Sequence, residues 1–191
     1  MPVKRGHIFV VSAPSGCGKT SLVKALLKED CFLVHPASFT TRIKRKGEMA
    51  GRDYHFISER EFKRRLRKGD FLEWSRPFGQ YYATSKKAVL DNVRKGKDVI
   101  LSLDFNGANF IKKNFEDSTS IYILPPSLRA LRQRLISRMT DHSSEIKKRL
   151  SYAKGDICNI RKYDYVVVND SFREAVRKLK SIIVAERLKV R

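Results

Sequence analysis

Long apolar runs, paired cysteines and low-complexity segments are all missing from this sequence of 191 residues. No stretch approaches the ~18 consecutive apolar residues of a membrane-spanning helix. The first residues lack the apolar core and the cleavage site of a secretion signal. Glycine and proline are sparse, at 10 and 6 residues, which excludes collagen-like and low-complexity chains. We therefore expect a cytoplasmic protein without a membrane partner.

Cysteine is scarce as well. Cys17, Cys31 and Cys158 are an odd number and show neither a CxxC pair nor a metal-ligand spacing. This usage predicts thiols in a reducing compartment rather than disulfides.

Acidic residues are outnumbered by basic ones. The sequence has 20 Asp and Glu against 41 Lys and Arg, a formal net charge of +21. Such a charge predicts attraction to polyanions, whether nucleotides, RNA, DNA or acidic membrane surfaces.

Hydrophobic residues make up 41%, enough for the core of a single domain with an insertion. A monomer and a homodimer are both compatible with this composition.

Strand-like and helix-like segments alternate along the chain, which favours an α/β fold. The apolar runs that predict buried strands are 7–12, 99–103, 120–124 and 165–168. Helices are predicted after the glycine-rich segment that follows the first run, at 58–68 and 85–95, after Pro125-Pro126, and after Ser171. Ser58 with Glu61 and Ser171 with Glu174 have the capping-box spacing. Buried strands separated by helices imply a parallel sheet with helices on both faces.

The segment from about 37 to 84 differs from the rest because it has short runs, many charges and many aromatic residues. It predicts a small mixed α/β insertion into a core formed by residues 1–36 and 85–191. Ligands of open α/β sheets bind outside the carboxyl ends of the strands, where such an insertion would lie.

Residues 13–20 predict a nucleoside triphosphate site. They match the phosphate-loop pattern GxxxxGK[ST], except that Ala13 replaces the first glycine. Backbone N–H groups of such a loop surround the phosphates, and the following helix adds positive potential. Lys19 can reach the β- and γ-phosphates, and the Thr20 hydroxyl can ligate the Mg²⁺ that accompanies ATP. The predicted ATP-binding residues of this loop are Ala13, Pro14, Ser15, Gly16, Cys17, Gly18, Lys19 and Thr20.

The acceptor is indicated by a second group of motifs. These are residues 38–45, Gly47-Glu48, Gly51, Asp53-Tyr54, Phe56, 71–74 and 81–84. Together with the phosphate loop they closely resemble the guanylate kinases, P-loop nucleoside monophosphate kinases that convert GMP and ATP to GDP and ADP. The resemblance extends from the phosphate loop to Asn169-Asp170. It implies a phosphotransferase of purine nucleotide metabolism and GMP recycling that uses GMP and also dGMP.

The residues themselves favour a phosphate monoester as acceptor. Arg42 and Arg45 lie three residues apart, and guanidinium groups bind phosphate oxygens bidentately. The hydroxyls of Tyr54 and Tyr82 can donate to the same phosphate.

Glu73 favours guanine as the base, because one carboxylate accepts from both N1–H and the 2-amino group. Adenine presents an acceptor at N1 and would leave that carboxylate facing a lone pair. By resemblance, Ser38 and Thr84 add hydrogen bonds to the base, and Asp104 lies near the guanine amino group. The sequence departs from the family pattern at Ser102 and Asn106, which replace an aspartate and a glutamine. Thr20 is therefore the only proposed metal ligand.

A basic segment at about 126–150 resembles the mobile lid of the family. The resemblance implies that Arg134, Arg138 and Arg149 close over the transferring phosphoryl group. Asn169 matches the asparagine that contacts the adenine side of ATP, although a residue near a helix N-cap is an equal alternative. The predicted catalytic residues are Lys19, Arg42, Arg134, Arg138 and Arg149.

Three other functions compete with this prediction. A non-catalytic, partner-binding module would lack a phosphate loop or an acceptor clamp, and this sequence has both. A nucleic-acid-binding P-loop protein is suggested only by the charge, which predicts at most weak, nonspecific RNA binding. Another nucleoside monophosphate as acceptor conflicts with Glu73, Ser38 and Thr84.

Overall fold

The computed structural model describes residues 5–137, 149–153, 155 and 157–190. Its strands are β1 Ile8–Ser12, β2 Leu33–Val34, β3 Ser38–Thr40, β4 Tyr54–Phe56, β5 Phe71–Ser75, β6 Tyr82–Ser85, β7 Asp98–Leu103, β8 Thr119–Leu124 and β9 Tyr165–Val168. Its helices are α1 Lys19–Glu29, α2 Glu59–Arg67, α3 Lys86–Arg94, α4 Phe105–Asn114, α5 Leu128–Ile136 and α6 Phe172–Leu188, and 3₁₀ turns lie at Pro77–Gly79 and Ile160–Lys162.

A five-stranded sheet has the order β2-β7-β1-β8-β9. The β2–β7, β1–β8 and β8–β9 pairs are parallel, which confirms the predicted parallel α/β sheet. Every residue of β1 is buried, as expected for a central strand covered on both faces. The prediction of a fully buried strand at 165–168 is wrong, since Val166 and Val168 are exposed and only Val167 of that strand is buried. The two exposed valines are two residues apart, so they lie on the same face of this end strand, opposite Val167.

A second sheet has the order β4-β3-β6-β5. The β3–β4 pair is parallel, whereas β3–β6 and β5–β6 are antiparallel, so this sheet is mixed. Phe62 of α2 packs with Phe71 and Ala83 of the sheet in a small apolar core.

The chain contacts divide into two compact units. The mixed-sheet unit contains the described residues up to Ile8 and the range Phe32–Leu101. The phosphate-loop unit contains Phe9–Cys31 and the described residues from Ser102 onward.

Side-chain caps begin several helices. The serine half of the predicted capping box at Ser58 is confirmed, since its side chain accepts a hydrogen bond from the Glu61 N–H, while the Glu61 carboxylate pairs with Arg64 and Arg65. The predicted capping box at Ser171 is wrong: α6 begins there, but the serine side chain makes no cap hydrogen bond. Glu174 instead pairs with Arg177 one turn further on, so it does not reach back to complete the box.

Within the described ranges, none of the helices combines the length and apolar character needed to cross a membrane.

Candidate active site

The phosphate loop connects β1 to α1, in the strand–loop–helix order that its sequence predicts. Gly16 and Gly18 have φ angles of 97° and 85°, values that L-residues with a side chain rarely adopt. A Cβ atom on Gly18 would also lie 2.7 Å from Nδ2 of Asn169. Glycine at this position therefore permits both the left-handed turn into α1 and the close approach of Asn169.

Lys19, the predicted phosphate-binding lysine, is held by the end of a neighbouring strand. Its Nζ donates to the carbonyl oxygen of Leu103 at 2.9 Å. The Ser12 hydroxyl donates to the same carbonyl at 3.0 Å. The last carbonyl of β7 thus fixes the lysine side chain relative to the end of β1.

Asn169 is buried directly behind the loop. Its Nδ2 donates to the Cys17 carbonyl at 2.7 Å, and its own carbonyl accepts from Nη2 of Arg134 at 3.0 Å. Asn169 therefore ties the phosphate loop to α5, a contact that the sequence did not indicate.

Of the two other predicted lid arginines, the structure describes Arg149 but not Arg138. Nη1 of Arg149 donates to the Ser15 hydroxyl of the phosphate loop at 3.1 Å. Arg138 lies outside the described residues.

Thr20 is exposed in the first turn of α1. Over the described ranges, no group of three or more His, Cys, Asp or Glu side chains is arranged to hold a metal ion. Mg²⁺ that travels with a nucleotide needs few protein ligands, because phosphate and water oxygens supply most of its coordination. A single hydroxyl at the start of α1 fits such an ion.

In the mixed-sheet unit, Glu73 and Thr84 lie opposite each other on β5 and β6. Glu73 is 6% exposed, and its Oε1 accepts a hydrogen bond from the Thr84 hydroxyl at 2.6 Å. A buried carboxylate needs such partners to offset its loss of hydration. Ser38 begins β3 of the same sheet.

The predicted phosphate clamp surrounds Arg42, which follows β3. Its Nε donates to the Tyr82 hydroxyl at 3.2 Å, and its guanidinium carbon lies 5.3 Å from the centre of the Tyr54 ring. The two terminal nitrogens, Nη2 and Nη1, donate to the Glu48 carboxylate at 2.8 and 3.1 Å. The structure therefore brings Arg42, Tyr54 and Tyr82 together, whereas Arg45 is exposed in the adjacent turn.

The protonation state of the Tyr54 hydroxyl suits a hydrogen-bond donor to a phosphate. Burial, followed by the nearby Tyr82, raises the pKa of the Tyr54 hydroxyl above its ordinary value. The phenol consequently keeps its proton at neutral pH and can donate to an anion.

Asp104 belongs to the phosphate-loop unit and caps α4. Its Oδ1 accepts from the Gly107 N–H at 2.9 Å, an N-cap that the sequence did not predict.

Three other contacts were also not predicted: the bond from Lys19 to the Leu103 carbonyl, the bond from Arg149 to Ser15, and the pairing of Glu48 with Arg42. Gly47-Glu48 did stand out as a motif, but spacing alone gave no reason to connect the carboxylate to the arginine.

A phosphate loop between the first strand and the first helix of a parallel sheet defines the class of P-loop nucleotide-binding proteins. The family model "Guanylate kinase" matches residues 5–186. The chain is 48% identical to a guanylate kinase of Hahella chejuensis over 97% of this chain and 89% of that one. It is 41% identical to a guanylate kinase of Thermotoga maritima over 97% and 90% of the respective chains. The chain belongs to the guanylate kinase family, as its motifs predicted.

Solved structures agree with this assignment. The crystal structure of a guanylate kinase from Anaplasma phagocytophilum matches with a TM-score of 0.85 at 34% identity, covering 100% of this chain and 90% of that one. A shikimate kinase from Bacteroides thetaiotaomicron matches with a TM-score of 0.51 at 13% identity, covering 93% and 98%. The second match shows a shared fold alone.

Proposed function

We propose that this guanylate kinase family member transfers the γ-phosphoryl group of ATP to GMP, giving ADP and GDP. The observation that carries the proposal is the family match over residues 5–186 in a chain that retains both a phosphate loop and a buried acidic site. A binding module without activity would not need both.

The acceptor base would be read by Glu73. Its carboxylate accepts from guanine N1–H and the 2-amino group, and the bond from Thr84 orients that carboxylate at 2.6 Å. Because Glu73 is buried, placing it against the adenine N1 lone pair would set two acceptors against each other and deny the desolvated charge the two donors that guanine supplies. Ser38 and Asp104 are proposed as further contacts to the base. The same arrangement accepts dGMP, since these groups read only the base.

The acceptor phosphate would bind at Arg42, with Tyr54 and Tyr82 donating through their hydroxyls and Arg45 adding charge from the adjacent turn. A guanidinium and two phenols supply directional donors, which fix the orientation of the phosphate as well as its position. Orientation matters here because in-line phosphoryl transfer depends chiefly on alignment.

The donor would bind at the phosphate loop, residues 13–20, with Asn169 supporting the loop from behind. Lys19 would exchange the Leu103 carbonyl for the phosphate oxygens of ATP. Thr20 is the residue that would hold the Mg²⁺ bound with ATP, an ion that supplies neutralisation of phosphate charge.

No general base is required, because a phosphate monoester dianion is itself the nucleophile. Its oxygen forms a bond to the γ-phosphorus while the bond to the β,γ-bridging oxygen breaks, and the leaving group is ADP. Lys19, Arg134 and Arg149 are proposed to stabilise the charge on the transferring group. Arg138 is proposed for the same role from its sequence position alone. We place the reaction in purine nucleotide metabolism, including GMP recycling, and in the cytoplasm.

The test is a coupled assay of ADP formation with GMP, AMP, UMP and CMP as acceptors at equal concentration. GMP should be converted far faster than the other three, and Lys19→Met should abolish turnover while the protein stays folded by circular dichroism. Failure of purified protein with ATP and Mg²⁺ to convert GMP would refute the proposal.

The net charge of +21 supports a second, nonspecific interaction, weak binding of RNA. Counterion release makes such binding fall steeply as salt rises. Filter binding of a short RNA should therefore decline sharply between low and physiological salt, whereas salt-independent retention would contradict an electrostatic origin.

A further inference from the structure

Glu48 is the acidic residue that contacts the predicted phosphate clamp most extensively. Its Oε1 accepts from Nη2 of Arg42 at 2.8 Å, and its Oε2 accepts from Nη1 at 3.1 Å. Oε2 also accepts from the Arg45 backbone N–H at 2.8 Å. One carboxylate thus contacts both arginine positions of the clamp.

The pairing leaves a specific part of the guanidinium for a ligand. A guanidinium can bind an anion bidentately along its Nη1/Nη2 edge or along its Nε/Nη2 edge. Glu48 takes the first edge, and the second hydrogen of Nη1 goes to the Ile43 carbonyl at 2.7 Å. On the second edge, Nε donates to the Tyr82 hydroxyl at 3.2 Å. The remaining Nη2–H lies on this same edge, beside that hydroxyl.

Three contacts restrict rotation of the guanidinium about its own stem. The Tyr54 and Phe56 rings lie 5.3 and 5.8 Å from its carbon, and Glu48 holds the edge opposite Tyr82. Glu48 is itself fixed, since its backbone N–H donates to the Arg45 carbonyl at 3.2 Å and closes the turn. The carboxylate therefore belongs to the framework of the turn rather than to a movable side chain that an incoming phosphate would displace.

We propose that Glu48 is a positioning residue for the acceptor phosphate, holding Arg42 so that its remaining Nη2–H and the hydroxyl of Tyr82, which Nε holds in place, bind the phosphate together. The inference rests on the proposed function, because it concerns how GMP is oriented. Glu48 does not touch the substrate and acts through Arg42.

The charge state of Glu48 supports this role. Burial would raise the pKa of its carboxyl, but the hydrogen bonds from Arg42 and from the Arg45 backbone lower the pKa overall. Glu48 is therefore ionised at neutral pH and accepts from both nitrogens of Arg42.

The experiment compares GMP with guanosine, which has the same base and ribose but no phosphate. Glu48→Gln keeps the length of the side chain and replaces one accepting oxygen by a donor that opposes the guanidinium. Binding of both ligands is measured by isothermal titration calorimetry on the full chain. Glu59→Gln is the matched control, because it removes a carboxylate from the exposed pair with Lys63 in the same unit.

We expect Glu48→Gln to weaken GMP binding by about tenfold to a hundredfold, the effect of losing one charge-assisted contact. Guanosine binding should stay within about twofold, and steady-state KM for GMP should rise more than kcat falls. Glu59→Gln should change neither ligand.

Each other outcome overturns the inference. An equal loss for GMP and guanosine would mean that Glu48 maintains only the fold of the turn. Unchanged GMP binding would mean that Arg42 needs no positioning, and tighter binding would mean that Glu48 competes with the phosphate. If the unsubstituted protein does not bind GMP at all, the proposed function fails instead, which is a distinguishable result.

Discussion

Substituting glutamine for Glu73 should remove most of the preference for GMP. Glu73 is 6% exposed and its Oε1 already accepts from the Thr84 hydroxyl. Glutamine has nearly the same volume, so the apolar neighbours need not repack. The glutamine carbonyl oxygen can replace only one of the two carboxylate oxygens. In place of the other, the amide NH₂ would set a donor against one of the two guanine donors.

The expected loss of kcat/KM for GMP follows from the two hydrogen bonds that guanine N1–H and the 2-amino group donate to the Glu73 carboxylate. Each bond to a charged group contributes about 1.5–3 kcal/mol, and a buried donor left without an acceptor adds its own desolvation cost. Losing one of these bonds and leaving one buried guanine donor unpaired gives about 2.5–6 kcal/mol. Since about 1.4 kcal/mol is tenfold, kcat/KM for GMP should fall by roughly a hundredfold to ten-thousandfold. The reaction with AMP gains nothing from the carboxylate and should change little.

The assay is steady-state ADP formation with GMP and with AMP, for the unsubstituted protein and for Glu73→Gln. Glu59→Gln is the control for loss of a negative charge, since Glu59 is exposed and paired only with Lys63 among the described ion pairs. A value of kcat/KM for GMP within tenfold of the unsubstituted protein would refute the assignment of Glu73 to guanine. An equal loss with AMP would also refute it, because the effect would then not depend on the base.

Three further substitutions test contacts that support the phosphate loop and the rest of the fold. Asn169→Ala removes the 2.7 Å bond to the phosphate loop and should raise KM for ATP several-fold while KM for GMP stays constant in steady-state kinetics. Gly6→Ala would place a Cβ atom 1.8 Å from the Lys97 carbonyl oxygen; overpacking against backbone costs about 3 kcal/mol, which should lower Tm by about 6–12 °C in calorimetry. Burial would raise the pKa of Asp164, but its hydrogen bonds, first that from Lys112, lower it overall. Asp164→Asn should therefore lower the urea midpoint at pH 7. The difference should begin to shrink as pH falls below about 4, where the carboxyl of the unfolded chain takes up its proton, and should vanish only below the lowered pKa of the folded state.

Signals confined to a few neighbouring residues predicted much of the fold. The phosphate-loop pattern predicted a strand, a tight glycine turn and a helix, because those glycines need positive φ and the helix N-terminus completes the anion site. Ser58 and Glu61 predicted a helix start that the structure confirms. The same spacing at Ser171 marks a helix start without a cap: the serine side chain makes no cap hydrogen bond, and Glu174 pairs with Arg177 much as Glu61 pairs with Arg64. A local pattern therefore indicates where a helix begins more reliably than it indicates which side chain caps it.

Contacts between distant residues could not be predicted in this way. Lys19 binds a backbone carbonyl at Leu103, and Asn169 binds the carbonyl of Cys17. Carbonyl groups are present at every residue, so no residue type in the sequence marks the ones that accept these bonds. Family resemblance did select Asn169, but it could not show that the side chain supports the phosphate loop.

Asp104 shows how a functional motif can hide a structural signal. In the sequence, Asp104 stands out only through its resemblance to a base-binding residue, and that resemblance does not predict α4, which begins at Phe105. Aspartate is nevertheless a favoured N-cap, and its Oδ1 accepts from the Gly107 N–H at 2.9 Å. A carboxylate has about four acceptor positions on two oxygens, so capping the helix leaves capacity for a further donor such as a guanine amino group. The cap also fixes the side-chain rotamer, so the contact with a base that is proposed for Asp104 would need less ordering of the carboxylate than one from a freely rotating side chain.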